Sequence, residues 1–220
     1  VDSFGDEWGR FDQSELSYHE AESIFKKYFE IFPWDLLPNN PEGFDLGCGS
    51  GRWAKIIINK VGHLHCIDPS SAIHIAESSL SSFDNVSYQK KSVDEFTLPL
   101  NSQDFGYSLG VLHHVPDTSA AIKECAKVLK SGAPFLIYLY YALENKSFLY
   151  RFIWRCSDLL RRLICNLPST LKHLTTDFIA FVVYLPLAKI ALLFDKIGFE
   201  VSNIPLSFYR NCSFYTMRTD

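Results

Sequence analysis

The chain has 220 residues and a formal charge of −4, enough for one domain of ordinary size plus an elaboration, with a core built from a sheet and its covering helices. Acidic and basic residues are interspersed and no long basic tract is present, which argues against a primary grip on nucleic acid. Its six cysteines form no C-x-x-C pair and no Cys/His metal spacing, so they read as reduced, buried thiols of a cytoplasmic protein, and no metal site is expected.

Residues 1–42 are predicted to be an N-terminal arm and a helix. Val1 to Glu7 is acidic and polar, unlike the charged-then-apolar start of a secretory leader, and the lack of an initiating Met reads as a trimmed chain or a fragment. Trp8 and Phe11 mark an aromatic arm. Over 14–32, Leu16, Ile24, Phe25, Tyr28, Phe29 and Phe32 recur among acids and lysines, as in an amphipathic helix that Pro33 stops. From Gly43 the pattern alternates: strand 43–47, helix 51–60, strand 62–67, helix 70–80, strand 86–90, a loop, strand 104–110, helix 117–130 and strand 133–140. That order predicts an α/β, Rossmann-like, doubly wound and mostly parallel sheet with helices on both faces, and its right-handed crossovers bring the connecting turns to one edge. Residues 43–142 are taken as this core. A helical insertion or lid is expected over 143–197, and a possible C-terminal hairpin over 198–220, with strands at 198–201 and 213–217.

Phe44-Asp45-Leu46-Gly47-Cys48-Gly49-Ser50-Gly51 places three glycines two apart between an apolar strand and a helical run. Glycine tolerates positive φ and lets backbone approach a ligand with no side chain between them. About twenty residues on, Ile67-Asp68-Pro69 ends a second apolar run, where a carboxylate can accept both hydroxyls of a ribose. Together these resemble the first two motifs of class I S-adenosylmethionine-dependent methyltransferases, the ubiquinone/menaquinone-type branch in particular. The resemblance continues through Asp104-Phe105 and Leu112-His113-His114-Val115, similar to that family's "FD" and "LHHV", and through Leu129-Lys130-Ser131-Gly132-Ala133, similar to its "LKPGG" turn. The four motifs cover roughly residues 43–140.

The resemblance implies a cofactor, S-adenosylmethionine, with S-adenosylhomocysteine as product, and a methyl group passed to a small-molecule acceptor, at oxygen by preference because no amide- or adenine-gripping Asn-Pro-Pro-Tyr follows the fourth strand. It implies cofactor contacts at Asp45, Gly47, Gly49, Ser50, Gly51, Asp68, Pro69, Leu109 and Gly110, and an arm that folds over the cofactor. For Asp45 a loop brace is the alternative, for Asp68 a helix cap beside Ser70, and for the arm a simple anchoring of the terminus to the core. At the adenine end the sequence departs from the family. Counting back from Asp104 reaches Ser92-Val93 where the family has an Asp and a small residue, so either Ser92 accepts the adenine amine beside the Val93 backbone or a shifted loop brings Asp94 to it.

His113 and His114 follow the fourth strand, where an acceptor approaches. A histidine there can take a hydroxyl proton, with His114 the candidate base and His113 expected to pack. His19, His63, His65, His74 and His173 lack ligand spacing and read as structural or solvent-facing. Tyr138, Tyr140 and Tyr141 are divided between acceptor cavity and core. Arg151, Arg155, Arg161 and Arg162 either grip an acidic group or form a solvated face paired with Asp158. Residues 178–194 are the most apolar of the chain, and 144–196 is expected to be a buried lid or homodimer face, with peripheral membrane contact as an alternative and a bilayer span disfavoured by Pro186 and Lys189. Two rival functions stay open: a non-catalytic partner subunit that keeps the fold for binding, and a nicotinamide-dependent oxidoreductase, which the G-x-G-x-G spacing disfavours.

Overall fold

A computed structural model of the chain describes residues 17–140, 143–145, 147–201 and 204–219. The arm bearing Trp8 and Phe11 lies outside them, as does Tyr141. The chain divides into two compact units, 1–140 and 141–220.

The first unit opens with α1 (Tyr18–Tyr28), where the Ser17 hydroxyl accepts the Glu20 N–H at 3.2 Å and Lys26 and Lys27 face the negative end of the helix dipole. The helix ends four residues before the expected limit. Phe29 leaves helical geometry, and the turn that follows buries Phe29 and Phe32 beside Phe25, whose ring stacks on Phe29 at 4.3 Å. The chain then runs β1 (Glu42–Leu46), α2 (Ala54–Ile57), β2 (His63–Ile67), α3 (Ile73–Ser79), β3 (Val86–Gln89), β4 (Phe105–Leu109), α4 (Thr118–Val128) and β5 (Phe135–Tyr138). The five strands form one wholly parallel sheet in the order β3-β2-β1-β4-β5. This is the doubly wound, Rossmann-like arrangement, with the reversal of strand order falling between β1 and β4.

Alternation along β1 assigns its two faces. Phe44 and Leu46 point into a cluster with Leu112, Ala121 and Cys125, under α4. On the other face Phe105 and Tyr107 of β4 join Phe25, Phe29, Ile57, Ile73 and Leu80. Asp45 lies on that second face, and is the only acid of a strand interior that is buried among the described residues. At the amino edge of the sheet His65 bridges Ser87 (2.6 Å) and Glu42 (2.7 Å), and His63 also reaches Ser87, so both histidines are braces far along β2 from the turns.

The second unit is helical. It holds α5 (Phe148–Cys165), α6 (Ser169–Ile179), a π-helical turn at Ala180–Tyr184 and α7 (Leu185–Lys196), the last three running on as one long helix, then a 3-10 turn at Ser207–Asn211 and α8 (Phe214–Thr219). Pro186 does not break the long helix; it follows directly on the π-helical turn Ala180–Tyr184, where the regular i to i−4 ladder is already interrupted. The expected C-terminal hairpin is not formed: 214–219 is helical and 198–201 pairs with no strand. Ser213 accepts the Thr216 N–H, which favours a helical turn there, and ion pairs Asp177–Arg218 (3.0 Å) and Asp195–Arg210 (2.9 Å) fold the segment back onto the long helix. The cysteine reading also needs correcting. Cys48, Cys66 and Cys125 are buried, whereas Cys156 and Cys165 on α5 are exposed.

Candidate active site

The turn after β1 is shaped by three residues with positive φ, Gly47 (80°), Gly49 (53°) and Gly51 (81°). At Gly47 the requirement is double, since a Cβ would also sit 2.3 Å from the Val111 side chain that follows β4. The Gly47 N–H donates to Ile67 O at 2.7 Å, tying the start of the turn to the end of β2. Asp68 then closes it: its Oδ2 accepts the Gly49 N–H at 2.9 Å, and its Oδ1 accepts the Ser70 N–H (2.8 Å) and hydroxyl (2.6 Å). Three of the roughly four lone-pair positions of that carboxylate are thus taken within the chain. The Ser70 contacts weighed for Asp68 as a helix cap are present, although α3 begins only at Ile73, and a diol reaching the carboxylate must share Oδ2 or displace the Ser70 hydroxyl. The neighbouring Ser50 hydroxyl is buried with no protein partner among the described residues.

Asp45 is 2% exposed, and its Oδ2 accepts the Tyr107 hydroxyl at 2.9 Å. Burial pushes its carboxyl up to about 8, the Tyr107 hydrogen bond opposes this and the charge of Asp68 adds to it. A buried acid that holds its proton at neutral pH beside a glycine turn is poised to ionise when a cation arrives.

The adenine-side candidates are not independent. In the turn after β3 the Ser92 hydroxyl lies 2.5 Å from Asp94 Oδ1 and 2.8 Å from Glu95 Oε2, and the Ser92 carbonyl accepts the Glu95 and Phe96 N–H groups. The hydrogen bond from Ser92 holds the Asp94 carboxyl below its ordinary value. Val93 packs into the Phe44 cluster and anchors the turn. Pro69 lies in the Asp68–Ser70 bend, while Leu109 ends β4 and Gly110 (φ 75°) continues the same edge, its N–H donating to Tyr138 O at 3.0 Å.

After β4 a 3-10 turn, Leu112–His114, carries the histidine pair. His114, the expected base, is exposed. His113 stacks on Tyr140 with ring centres 4.1 Å apart, and both its nitrogens are turned inward with no partner among the described residues. Burial, and then the neighbouring His114, lower its pKa, so the ring is neutral at pH 7 and able to accept a proton. Tyr140 also lies near Tyr138 (6.0 Å), Tyr138 near Tyr28 of α1 (5.3 Å), and Tyr28 near Trp53 (5.3 Å). These rings make a continuous aromatic wall along the carboxyl ends of β1, β4 and β5. Tyr28, Trp53 and Tyr107 were not singled out for the site from sequence. Tyr107 left one usable signal, a polar tip in a buried strand opposite an acid. A separate cleft of about 480 Å³, lined by Trp34, Leu37, Pro41 and Lys60, lies by the amino ends of the strands, away from all these groups.

A family profile described as a methyltransferase domain matches residues 44–137, the span from the middle of β1 nearly to the end of β5. The chain is 30% identical over 162 residues to ubiquinone biosynthesis O-methyltransferase of Hahella chejuensis, covering 66% of this chain and 64% of that protein. Residues 44–137 are thus a methyltransferase domain of the class I S-adenosylmethionine-dependent kind. Another relative is a mouse (Mus musculus) protein named probable tRNA methyltransferase 9B, 32% identical over 108 residues, covering 47% of this chain and 22% of that one. Among solved structures, phosphoethanolamine N-methyltransferase 1 of Haemonchus contortus, in complex with phosphoethanolamine and S-adenosylhomocysteine, is similar over 58% of this chain and 29% of that one, with 15% identity and a TM-score of 0.48. The chain thus spans less than two thirds of the length of each.

The residues present fit the family's cofactor, S-adenosylmethionine. The turn after β1 holds three glycines at positive φ, the Ser50 hydroxyl is buried with no partner among the described residues, and two carboxyls flank the turn.

Proposed function

We propose that this methyltransferase methylates a hydroxyl of a small molecule carrying a flat ring, held against the wall of Trp53, Tyr28, Tyr138 and Tyr140, with His113 taking the proton. The observation that carries the proposal is the His113 ring itself, neutral, stacked on Tyr140, and with both nitrogens unpartnered among the described residues. The cofactor supplies a methyl group already activated on a sulfonium, so the protein's work is to align the two reactants and to dispose of one proton. Gly47, Gly49 and Gly51 admit the amino-acid and ribose portions, Asp45 meets the ammonium, and Asp68 offers its remaining Oδ2 position to the ribose. Ser92, Val93 and Asp94 bound the adenine end, and Leu109 and Gly110 its rear. The choice of oxygen accords with the name of the Hahella relative, whereas the phosphoethanolamine and tRNA names attach to proteins of which this chain spans less than a third.

The test is release of S-adenosylhomocysteine in the presence of phenols, carboxylic acids and amines as separate panels, with wild type, His113→Gln and His114→Gln. Phenols should turn over, with a rate that falls as pH drops and His113 takes up a proton. His113→Gln should remove that acid limb and cost roughly a hundred-fold or more in turnover with little change in cofactor affinity. Turnover of amines alone, or an unchanged profile in His113→Gln beside a lost one in His114→Gln, would overturn the assignment. Cofactor binding with no turnover in any panel would favour a binding subunit.

A further inference from the structure

The helical unit leaves an unusual amount of apolar surface uncovered. On α5, Phe148, Phe152, Leu159 and Leu163 follow one another at spacings of four, seven and four, which aligns them on one face of the helix, and all are more than half exposed. Arg151, Arg155 and Arg162 keep the same spacings along the border of that face, with Arg161 behind them. Asp158 pairs with Arg161 (2.8 Å) and Arg162 (2.9 Å), while Arg151 and Arg155 have no ion-pair partner among the described residues. The long helix Thr170–Lys196 is strongly apolar, with a mean hydropathy of 2.0 in its richest stretch, and most of it is uncovered as well. Charge separates with this surface. Residues 141–220 carry ten Lys and Arg against six Asp and Glu, whereas residues 1–140 carry eleven against nineteen. An apolar face edged by arginines, on the cationic part of an otherwise acidic chain, complements a surface that is apolar below and anionic above.

We infer that residues 148–196 dock on the surface of a bilayer that contains anionic phospholipid. They lie on the membrane and do not cross it. The long helix is crossed by ion pairs, Asp177–Arg218 and Asp195–Arg210, and carries Lys189, and the segment those pairs hold against it contains non-helical backbone at 198–201 and 212–213. Hydrocarbon disfavours both those charges and irregular backbone that faces lipid, whereas the headgroup region accommodates them. The 3-10 turn Ser207–Asn211 and α8 pack against the long helix, whose Ala180, Ala188 and Ala191 are buried, while Phe178 and Leu193 stay exposed for the acyl boundary. The inference does not rest on the chemistry proposed for the first unit.

The test is co-sedimentation of the chain with phosphatidylcholine vesicles and with the same vesicles containing phosphatidylglycerol, in low and in physiological salt. Wild type should bind the anionic vesicles and lose affinity as salt rises. Arg151→Ala/Arg155→Ala, both exposed and therefore harmless to folding, should weaken binding roughly 30-fold, at about 1 kcal/mol for each arginine near the surface. Arg151→Lys/Arg155→Lys should restore most of it, and Phe152→Ser/Leu159→Ser should weaken binding to both kinds of vesicle. Circular dichroism and S-adenosylhomocysteine titration on the same preparations keep loss of folding or of the cofactor site apart from loss of docking. Equal binding to neutral and anionic vesicles, or no vesicle binding together with a concentration-dependent dimer in analytical ultracentrifugation that Phe152→Ser/Leu159→Ser abolishes, would overturn the inference, the second result in favour of a face between copies of the chain.

Discussion

Replacing Asp45 by asparagine separates what the protein loses in stability at that position from what it gains in ligand recognition. The folded chain holds the Asp45 proton to about pH 8, while the unfolded chain releases it near the ordinary 3.8. Between those limits the folded state binds more protons than the unfolded state, so its stability is full below the lower value and falls as pH rises through the higher one. Each pH unit in that window costs about 1.4 kcal/mol, so from pH 5 to pH 8 this one carboxyl should withdraw at most about 4 kcal/mol, roughly 10 °C in Tm for a chain of this size. An amide cannot titrate, yet its oxygen can still accept the Tyr107 hydroxyl. Thermal or urea unfolding of wild type and Asp45→Asn at several pH values should therefore give curves that diverge, wild type losing stability toward pH 8 and the variant losing much less. The ligand side reverses the preference. The cofactor ammonium proposed to meet Asp45 would favour the ionised carboxylate, so S-adenosylhomocysteine binding to wild type should release a proton, visible in calorimetry as a heat that depends on the buffer's ionisation enthalpy. The variant should bind more weakly, with less of that dependence. Parallel stability curves for the two proteins, or the same proton release from both, would refute this account of Asp45.

Other consequences of the geometry can be checked on the same footing. Gly47→Ala should lower Tm by several degrees and abolish cofactor binding, because it adds left-handed strain of about 1–2 kcal/mol to the overlap with Val111; pairing it with Val111→Ala should recover only part of the overlap, since the residue-111 Cβ would still lie 2.8 Å from the new one, and should leave the strain, as differential scanning fluorimetry would show. Asp68→Ala should weaken S-adenosylhomocysteine roughly ten-fold to a hundred-fold by titration calorimetry, the value of a charge-assisted hydrogen bond, and should also loosen the glycine turn, so that amides near Gly49 exchange faster. Ser92→Ala and Asp94→Ala should not be additive in cofactor affinity, since the hydroxyl of one is hydrogen-bonded to the carboxylate of the other; a double-mutant cycle with no coupling would show that the turn opens when ligand binds.

The sequence by itself determined the sheet, the order of its elements and the place of the glycine turn, because these depend on short-range patterns. Alternating apolar residues specify strand faces, and three glycines at 47, 49 and 51 specify positive φ wherever the rest of the chain lies. The His113-His114 pair and Asp68 were legible for the same reason, as polar residues set just past strand ends. Which of the two histidines keeps unspent nitrogens was decided by tertiary structure, since it turns on the Tyr140 ring arriving from β5, 27 residues further along. The proton of Asp45 depends on the burial that the two central strands impose together, against which the hydrogen bond from Tyr107, 62 residues away, works. The C-terminal segment shows the converse limit. Residues 214–217 have the composition of a strand, yet a strand needs a partner, and with ion pairs holding it against the long helix the local cap at Ser213 prevails. Exposure of the apolar helices was equally beyond the sequence, because hydropathy reports what a residue prefers to bury, and only the packed chain shows what it has left uncovered.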